Sequence, residues 1–212
     1  MTQKPKTNYQ LLLDKTLEQL VREQRRPRLL LHACCAPCSS YVLEYLTRYF
    51  EITVFYYNPN ISPEREYRHR VDEIQRLIRE MCPSVRFLEG RYEPERFVEM
   101  AKGLEQEPER GKRCHKCYRL RLEETAIEAK RGGFEYFTTT LSISPQKDST
   151  VLNSIGQEIS DLYGVPYLFS DFKKREGYKR SIELSAKFCL YRQNYCGCVF
   201  SKPQGEATNK FQ

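Results

Sequence analysis

Leu13, Leu17, Leu20 and Val21 recur at helical spacing among the charges of residues 7–26 and predict an amphipathic helix there. Thr7 and Gln10 offer it a capping box, and RRPR at 25–28 ends it. The period then shortens. LLLHA at 29–33 and EITVFYYN at 51–58 are apolar runs of strand length, separated by a helix-compatible SSYVLEYLTRYF. Ser62 followed by Pro63 opens a second amphipathic helix, with Tyr67, Val71, Ile74, Ile78 and Met81 on its buried stripe. SVRFLEG at 84–90 reads as a strand and EPERFVEMAKG at 93–103 as a helix. Residues 114–131 form a long helix that RGG terminates. FEYFTTTL at 134–141 is a further strand. Leu152, Ile155, Ile159 and Leu162 mark the next helix, VPYLF at 165–169 a fifth strand, and 178–191 a final helix.

Five strands alternating with helices predict an α/β fold: a largely parallel sheet with helices on both faces, plus an N-terminal helix. One catalytic domain over residues 28–201 is expected, with 1–27 as a helical extension and 202–212 as a tail. In such sheets ligands bind beyond the carboxyl ends of the strands. The loop after LLLHA is one of those ends, and it carries HACCAPCSS, residues 32–40.

The chain has 212 residues, 40% hydrophobic and 30% charged, enough to bury a core without crosslinks. No apolar run approaches the roughly 18 residues of a membrane helix, and residues 1–28 are charged throughout, unlike a secretion signal. A cytoplasmic location without membrane association is therefore expected. There, nine cysteines point to metal or redox chemistry rather than structural disulfides. The net charge of +7 is concentrated: residues 110–131 carry eight Lys/Arg against three Glu, and 173–192 seven against two. Both stretches flank cysteine pairs, which suggests a polyanion near the thiols.

Cys114 and Cys117 stand i, i+3 at a helix start, where the helix dipole and Arg113, Lys116 and Arg119 lower thiol pKa values. With Cys34, Cys35, Cys38, Cys196 and Cys198 there are seven clustered thiols, more than the four a structural zinc takes. Cys34 and Cys35 would point to opposite faces of a regular strand. Both reach one centre only where the strand breaks, and Pro37 is consistent with such a break. Cys38 is a further ligand or an inert thiol. A Cys196–Cys198 disulfide would close a very small ring and be easily reduced, which favours a redox pair; the competing reading has these two sulfurs hold a metal. Cys82 and Cys189 read as core residues. Among the three histidines, His115 lies inside the CxxC but reads as a solvated residue rather than a ligand.

LLLHACCAPCSS, YYNPNISPEREYRHR, RCHKCYRLRLEETA, FTTTLSISPQK and YRQNYCGC, in that order over residues 28–201, resemble the QueH-type epoxyqueuosine reductases. That resemblance implies removal of the epoxide oxygen from the epoxyqueuosine base at the wobble position of tRNA, in queuosine synthesis. It also implies a [4Fe–4S] cluster on Cys34, Cys35, Cys114 and Cys117, a redox pair at Cys196 and Cys198, and a PP-loop/HUP-like core. The glycines of a phosphate loop are missing from 32–40, so ATP use is not expected; nor is cobalamin. Deoxygenation takes two electrons and two protons, whereas one cluster passes single electrons, so the CxC dithiol or an adjacent iron is expected as a second redox element, fed by an unidentified electron donor.

Tyr195 and Tyr118 are candidate proton donors. Asn58, Asn60 and Tyr67 are candidates to bind the base or its diol, with Tyr57 a further stacking face. Arg119, Lys147 and Arg192 are candidates for phosphates. Two other classes compete: a PP-loop-like tRNA sulfur transferase, and a zinc-stabilised RNA-binding module.

Overall fold

The computed structural model describes residues 7–201; residues 1–6 and the expected 202–212 tail lie outside the described residues. Four parallel strands form the sheet in the order β3-β2-β1-β4: β1 Arg28–His32, β2 Glu51–Tyr56, β3 Arg86–Glu89 and β4 Tyr136–Thr139. Alternation along β1 divides the core. Leu29 and Leu31 face a cluster with Leu13, Val42, Val54 and Ile74, while Leu30 faces the opposite one with Phe55, Leu122 and Phe137. The leucine run is thus a strand buried on both faces, as parallel sheets require.

The expected fifth strand is reduced to a single bridge. Phe137 donates to the Pro166 carbonyl at 3.0 Å and accepts from Leu168 at 2.9 Å, and pairing ends there. Pro166 has no N–H to extend the ladder, and the Leu168 carbonyl is taken by the Thr138 hydroxyl at 2.8 Å.

Helices cover both faces. On one, α2 (Ala36–Leu46) packs against α3 (Glu64–Met81) and against α7 (Gly177–Lys187); on the other, α5 (Lys112–Arg131) packs against α4 (Pro94–Ala101) and α6 (Ser149–Tyr163). The N-terminal helix α1 is shorter than expected, Tyr9–Arg22, and is capped by the Asn8 side chain accepting from Leu11 N rather than by Thr7. Leu13, Leu17 and Leu20 are buried but Val21 is exposed. α3 begins at Glu64 with Pro63 at its cap; the Ser62 N–H is instead used on the Gly197 carbonyl at 3.0 Å. α7 stops at Lys187, so Cys189, expected in a helix and in the core, is exposed with φ +48° and Leu190 takes the buried position. Among the described residues no helix is long and apolar enough to cross a membrane.

The strand order reverses at β1: the chain moves outward through β2 and β3, then returns to β4 on the other side. The crevice beyond the β1 and β4 carboxyl ends is where such sheets bind ligands.

Candidate active site

The first cysteine loop is shaped by its neighbours. Ala33 continues the ladder onto the Phe55 carbonyl at 3.0 Å, and Asn58 Nδ2 donates to the Ala33 carbonyl at 2.8 Å, ending β1. Cys34 then crosses the crevice to Thr140, in the short turn Thr140–Ile143 after β4, which accepts from its N–H at 3.4 Å. Cys35 is the N-cap of α2, in extended conformation, and Pro37 occupies the first helical turn, where no N–H is required. Pro37 therefore starts a helix rather than merely breaking a strand. Cys38, in the same turn, brings its sulfur back over the cap. The sulfurs of Cys34, Cys35 and Cys38 all lie within 4.8 Å of one another, with Cys34 and Cys35 3.8 Å apart. Cys38, read from sequence as a further ligand or an inert thiol, completes this three-thiol group.

The three thiols shift one another's acidity. Hydrogen bonds from Cys34 and Cys38, with Arg70 nearby, hold Cys35 well below the ordinary thiol range; the same bonds push Cys34 and Cys38 up.

Cys114 and Cys117 are both buried near the start of α5 but face different surroundings. Cys114 accepts from the Arg110 N–H at 3.3 Å and packs in the cluster that Cys34 borders; Cys117 packs with Phe97 and Cys198. Burial raises the Cys117 pKa despite Arg121 and Lys147, the reverse of the lowering expected from a helix start. Neither sulfur joins the trio within 4.8 Å.

The CxC loop is clasped from α3. Gly197 has φ +103°, a conformation glycine adopts freely, and Arg70 Nη1 donates to the Cys196 carbonyl at 3.3 Å. The Cys198 thiol, and Lys147 beyond it, depress the Cys196 pKa well below the usual thiol value while Cys198 is raised. Cys196 Sγ also lies 3.2 Å from Ser201 Oγ. All nine cysteines are free thiols, with no disulfide between Cys196 and Cys198.

A cavity of about 400 Å³ joins these parts, lined by Cys34, Cys35, Cys38 and Cys196 and by Lys147 and Tyr195. Arg192 also lines it while donating to Ser185 Oγ at 3.0 Å. Tyr118 lies behind Lys147, whose Nζ is 5.9 Å from its ring centre; its hydroxyl has no hydrogen-bond partner among the described residues, and burial pushes its pKa up to about 12.

Three buried cations surround the thiols: Arg70, Arg121 and Lys147, exposed by 2%, 4% and 8%. Arg121 Nε donates to the Cys117 carbonyl at 3.2 Å, and its field reaches Cys117, Cys34 and Cys196. Burial alone would lower the Lys147 pKa, but Cys196 and Tyr118 reverse the sign, so the ammonium stays charged. Buried cations persist beside anions, and here these are carboxylates as well as sulfurs: Arg70 pairs with Glu66 at 2.7 Å and Lys147 with Glu109 at 3.4 Å. Sequence reading missed Arg70 and Arg121; the Glu66–Arg70 and Cys117–Arg121 i, i+4 spacings were the available signal.

Other candidates stand elsewhere. Asn58 is fully buried, bonded at one end to Ala33 and approached at the other by Arg121 Nη1 at 3.4 Å. Asn60 is buried with Oδ1 unpartnered among the described residues. Tyr67 packs in the core against Tyr92, ring centres 4.3 Å apart, and Tyr57 stacks on Phe55. Arg119 pairs with Glu158 between α5 and α6, outside the cavity. His32 is buried and neutral, its pKa lowered to about 3 by burial and then Arg121; it bonds Thr139 Oγ1 at 2.8 Å and the Tyr57 carbonyl at 3.1 Å, so it has no nitrogen to spare for a metal.

The family described as "Epoxyqueuosine reductase QueH" matches residues 29–204. A Staphylococcus epidermidis protein of that name is 44% identical over 202 residues, covering 92% of this chain and 85% of its own length. Its Streptococcus pyogenes counterpart is 43% identical over 210 residues, with 97% and 82% coverage. A Thermotoga maritima protein of the same name is 38% identical over 178 residues, with 81% and 88% coverage.

Proposed function

The chain belongs to the QueH family of epoxyqueuosine reductases, and from this we propose how its own residues serve that reaction: two-electron removal of the epoxide oxygen from the epoxyqueuosine base at the wobble position of tRNA. The observation that carries the reading is the convergence of Cys34, Cys35, Cys38 and Cys196 on one cavity at the crevice of the sheet, ringed by buried cations.

The donor set suits a thiolate-bound metal. Tetrahedral thiolates about 2.3 Å from a metal stand about 3.8 Å apart, which is the Cys34–Cys35 sulfur separation of 3.8 Å. Soft sulfur ligands, partly neutralised by Arg70, Arg121 and Lys147, favour iron–sulfur chemistry. Cys34, Cys35, Cys114 and Cys117 would hold a [4Fe–4S] cluster, and Cys38, by its closeness, would serve it or an adjacent iron. When bound, such a centre supplies single electrons and polarises an epoxide oxygen.

The remaining chemistry belongs to the chain. As a thiolate and a thiol, Cys196 and Cys198 form a disulfide by giving up two electrons and one proton. The epoxide takes those electrons, that proton and a second proton from Tyr195 or Tyr118; both C–O bonds break, the alkene forms and the oxygen leaves as water. An external reductant then restores the dithiol and solvent restores the tyrosine. Tyr195, at the cavity wall, also offers a stacking face for an unpaired base. Lys147 and Arg192 hold positive charge where an RNA strand enters. The parallel sheet with its crevice beside β1 supports a PP-loop/HUP-like core, and a tRNA substrate supports a cytoplasmic site of action.

The test is anaerobic incubation of epoxyqueuosine-containing tRNA with the iron-loaded chain and a reductant, read by nucleoside mass spectrometry. Conversion to queuosine is expected; an unchanged epoxide defeats the reading.

A further inference from the structure

Lys147 forms a wall between two cavities. On one side is the thiol cavity; on the other is a wider groove of about 870 Å³ that no cysteine lines. Arg110, His115, Lys173 and Lys174 line the groove, together with Asp148 and Asp171.

These charges are not equivalent. Lys173 is neutralised: its Nζ lies 2.8 Å from Asp171 Oδ1 and 2.8 Å from the Ser142 carbonyl. Asp148 is engaged as the cap of α6, accepting from Thr150 N at 2.7 Å and Val151 N at 3.4 Å. Among the described residues Arg110 bonds only neutral acceptors through its side chain, the Pro145 carbonyl at 2.8 Å and Gln146 Oε1 at 2.9 Å, and no carboxylate pairs with it. Lys174 is exposed, and its side chain makes no hydrogen bond or ion pair among the described residues. His115 projects from the start of α5, whose Lys112 N–H donates to the Glu107 carboxylate at 3.0 Å. Arg110 and Lys174 therefore leave positive charge along the groove, which runs up to Lys147; that residue meets Glu109 at 3.4 Å and borders the thiol cavity.

We propose that this groove seats the sugar–phosphate backbone of the RNA strand adjoining the nucleotide whose base enters the thiol cavity, with Arg110 and Lys174 as its phosphate contacts. The proposal rests on the reductase reading: a modified base must leave its stack to be reduced, which brings its flanking phosphates to the rim that Lys147 marks. Such contacts set register and affinity but read no sequence. They also replace Arg119, whose charge Glu158 already meets.

The experiment uses the full chain and an anticodon stem–loop RNA, with Kd measured from about 50 to about 200 mM salt. Lys174→Glu is expected to weaken binding about tenfold at low salt and to flatten the slope of log K against log salt by about one. Lys174→Arg restores both. Lys130→Glu, at the opposite end of α5 and about 27 Å along its axis from Lys112, leaves both at the wild-type value. An unchanged Kd and slope in Lys174→Glu, or an equal loss in Lys130→Glu, overturns the groove. Wild-type protein that binds the RNA with Lys174 dependence but never reduces epoxyqueuosine would defeat the reductase reading and leave the groove standing.

Discussion

Arg70 and Cys196, 126 positions apart in sequence, are joined by a hydrogen bond of 3.3 Å from the guanidinium to the main-chain carbonyl. The same side chain lies 5.3 Å from the Tyr195 ring centre and pairs with Glu66 at 2.7 Å, so one buried arginine fastens the CxC loop to α3. Arg70→Met leaves Glu66 without its cation and the Cys196 carbonyl without a donor. A loss of about 3 kcal/mol is expected in urea unfolding, with Arg70→Lys recovering only part because it lacks the fork.

Gly197 tests the same clasp from the other side. A Cβ there would stand 2.9 Å from Ile61 Cγ1 and 3.1 Å from Arg70 Nη1, at a φ that side chains rarely adopt. Gly197→Ala should cost about 1–3 kcal/mol of stability and, by displacing Cys196, lower turnover by at least about tenfold. Steady-state kinetics beside thermal melting measures both.

Asn58 bonds the Ala33 carbonyl at one end and faces Arg121 at the other. Asn58→Ala leaves a buried carbonyl and part of a guanidinium unpaired, an expected loss of about 2 kcal/mol. The readout is chemical denaturation, with RNA affinity measured alongside; a change in affinity at unaltered stability would instead make Asn58 a substrate contact.

Replacing both Cys196 and Cys198 with serine removes the dithiol that supplies two electrons in the proposed reaction. Multiple turnover should stop in an anaerobic assay, and wild-type turnover in the double variant removes the pair from the reaction.

Glu44 joins α2 to α7 through Arg180, with contacts of 2.9 and 2.7 Å. Its hydrogen bonds to Arg180 lower its pKa below the usual carboxylate value. A depressed carboxyl pKa gives stability that is full above pH 4.5 and is lost as pH falls through the lower folded value. The acid limb of the stability curve should therefore be shallower in Glu44→Gln, by a small amount because both groups are partly exposed.

Much of the fold was legible because burial leaves a period. The Leu29–Leu31 run could only be a strand buried on both faces, and Leu13, Leu17 and Leu20 could only line one helix face. VPYLF has the same composition but pairs through one residue, since propensity does not report whether a neighbouring carbonyl is already taken. Val21 and Leu162 fit the helical period yet are exposed, because the stripe ends where the partner element does. In the site, the cysteine pattern pointed to the right sheet edge. The closeness of Cys38 to Cys34 and Cys35 follows from Cys35 capping α2, a local geometry invisible in spacing alone. Arg70 and Arg121 look like ordinary surface charges of amphipathic helices; only the tertiary structure buries them against sulfur.

Iron held by the Cys34, Cys35 and Cys38 group is tested most directly by metal analysis and visible spectroscopy of the anaerobically purified chain, beside Cys35→Ser and Cys82→Ser. Bound iron with thiolate-to-iron absorption is expected in the wild type and in Cys82→Ser, and is lost in Cys35→Ser. A colourless protein carrying stoichiometric zinc, or an iron chromophore that Cys35→Ser leaves intact, contradicts it.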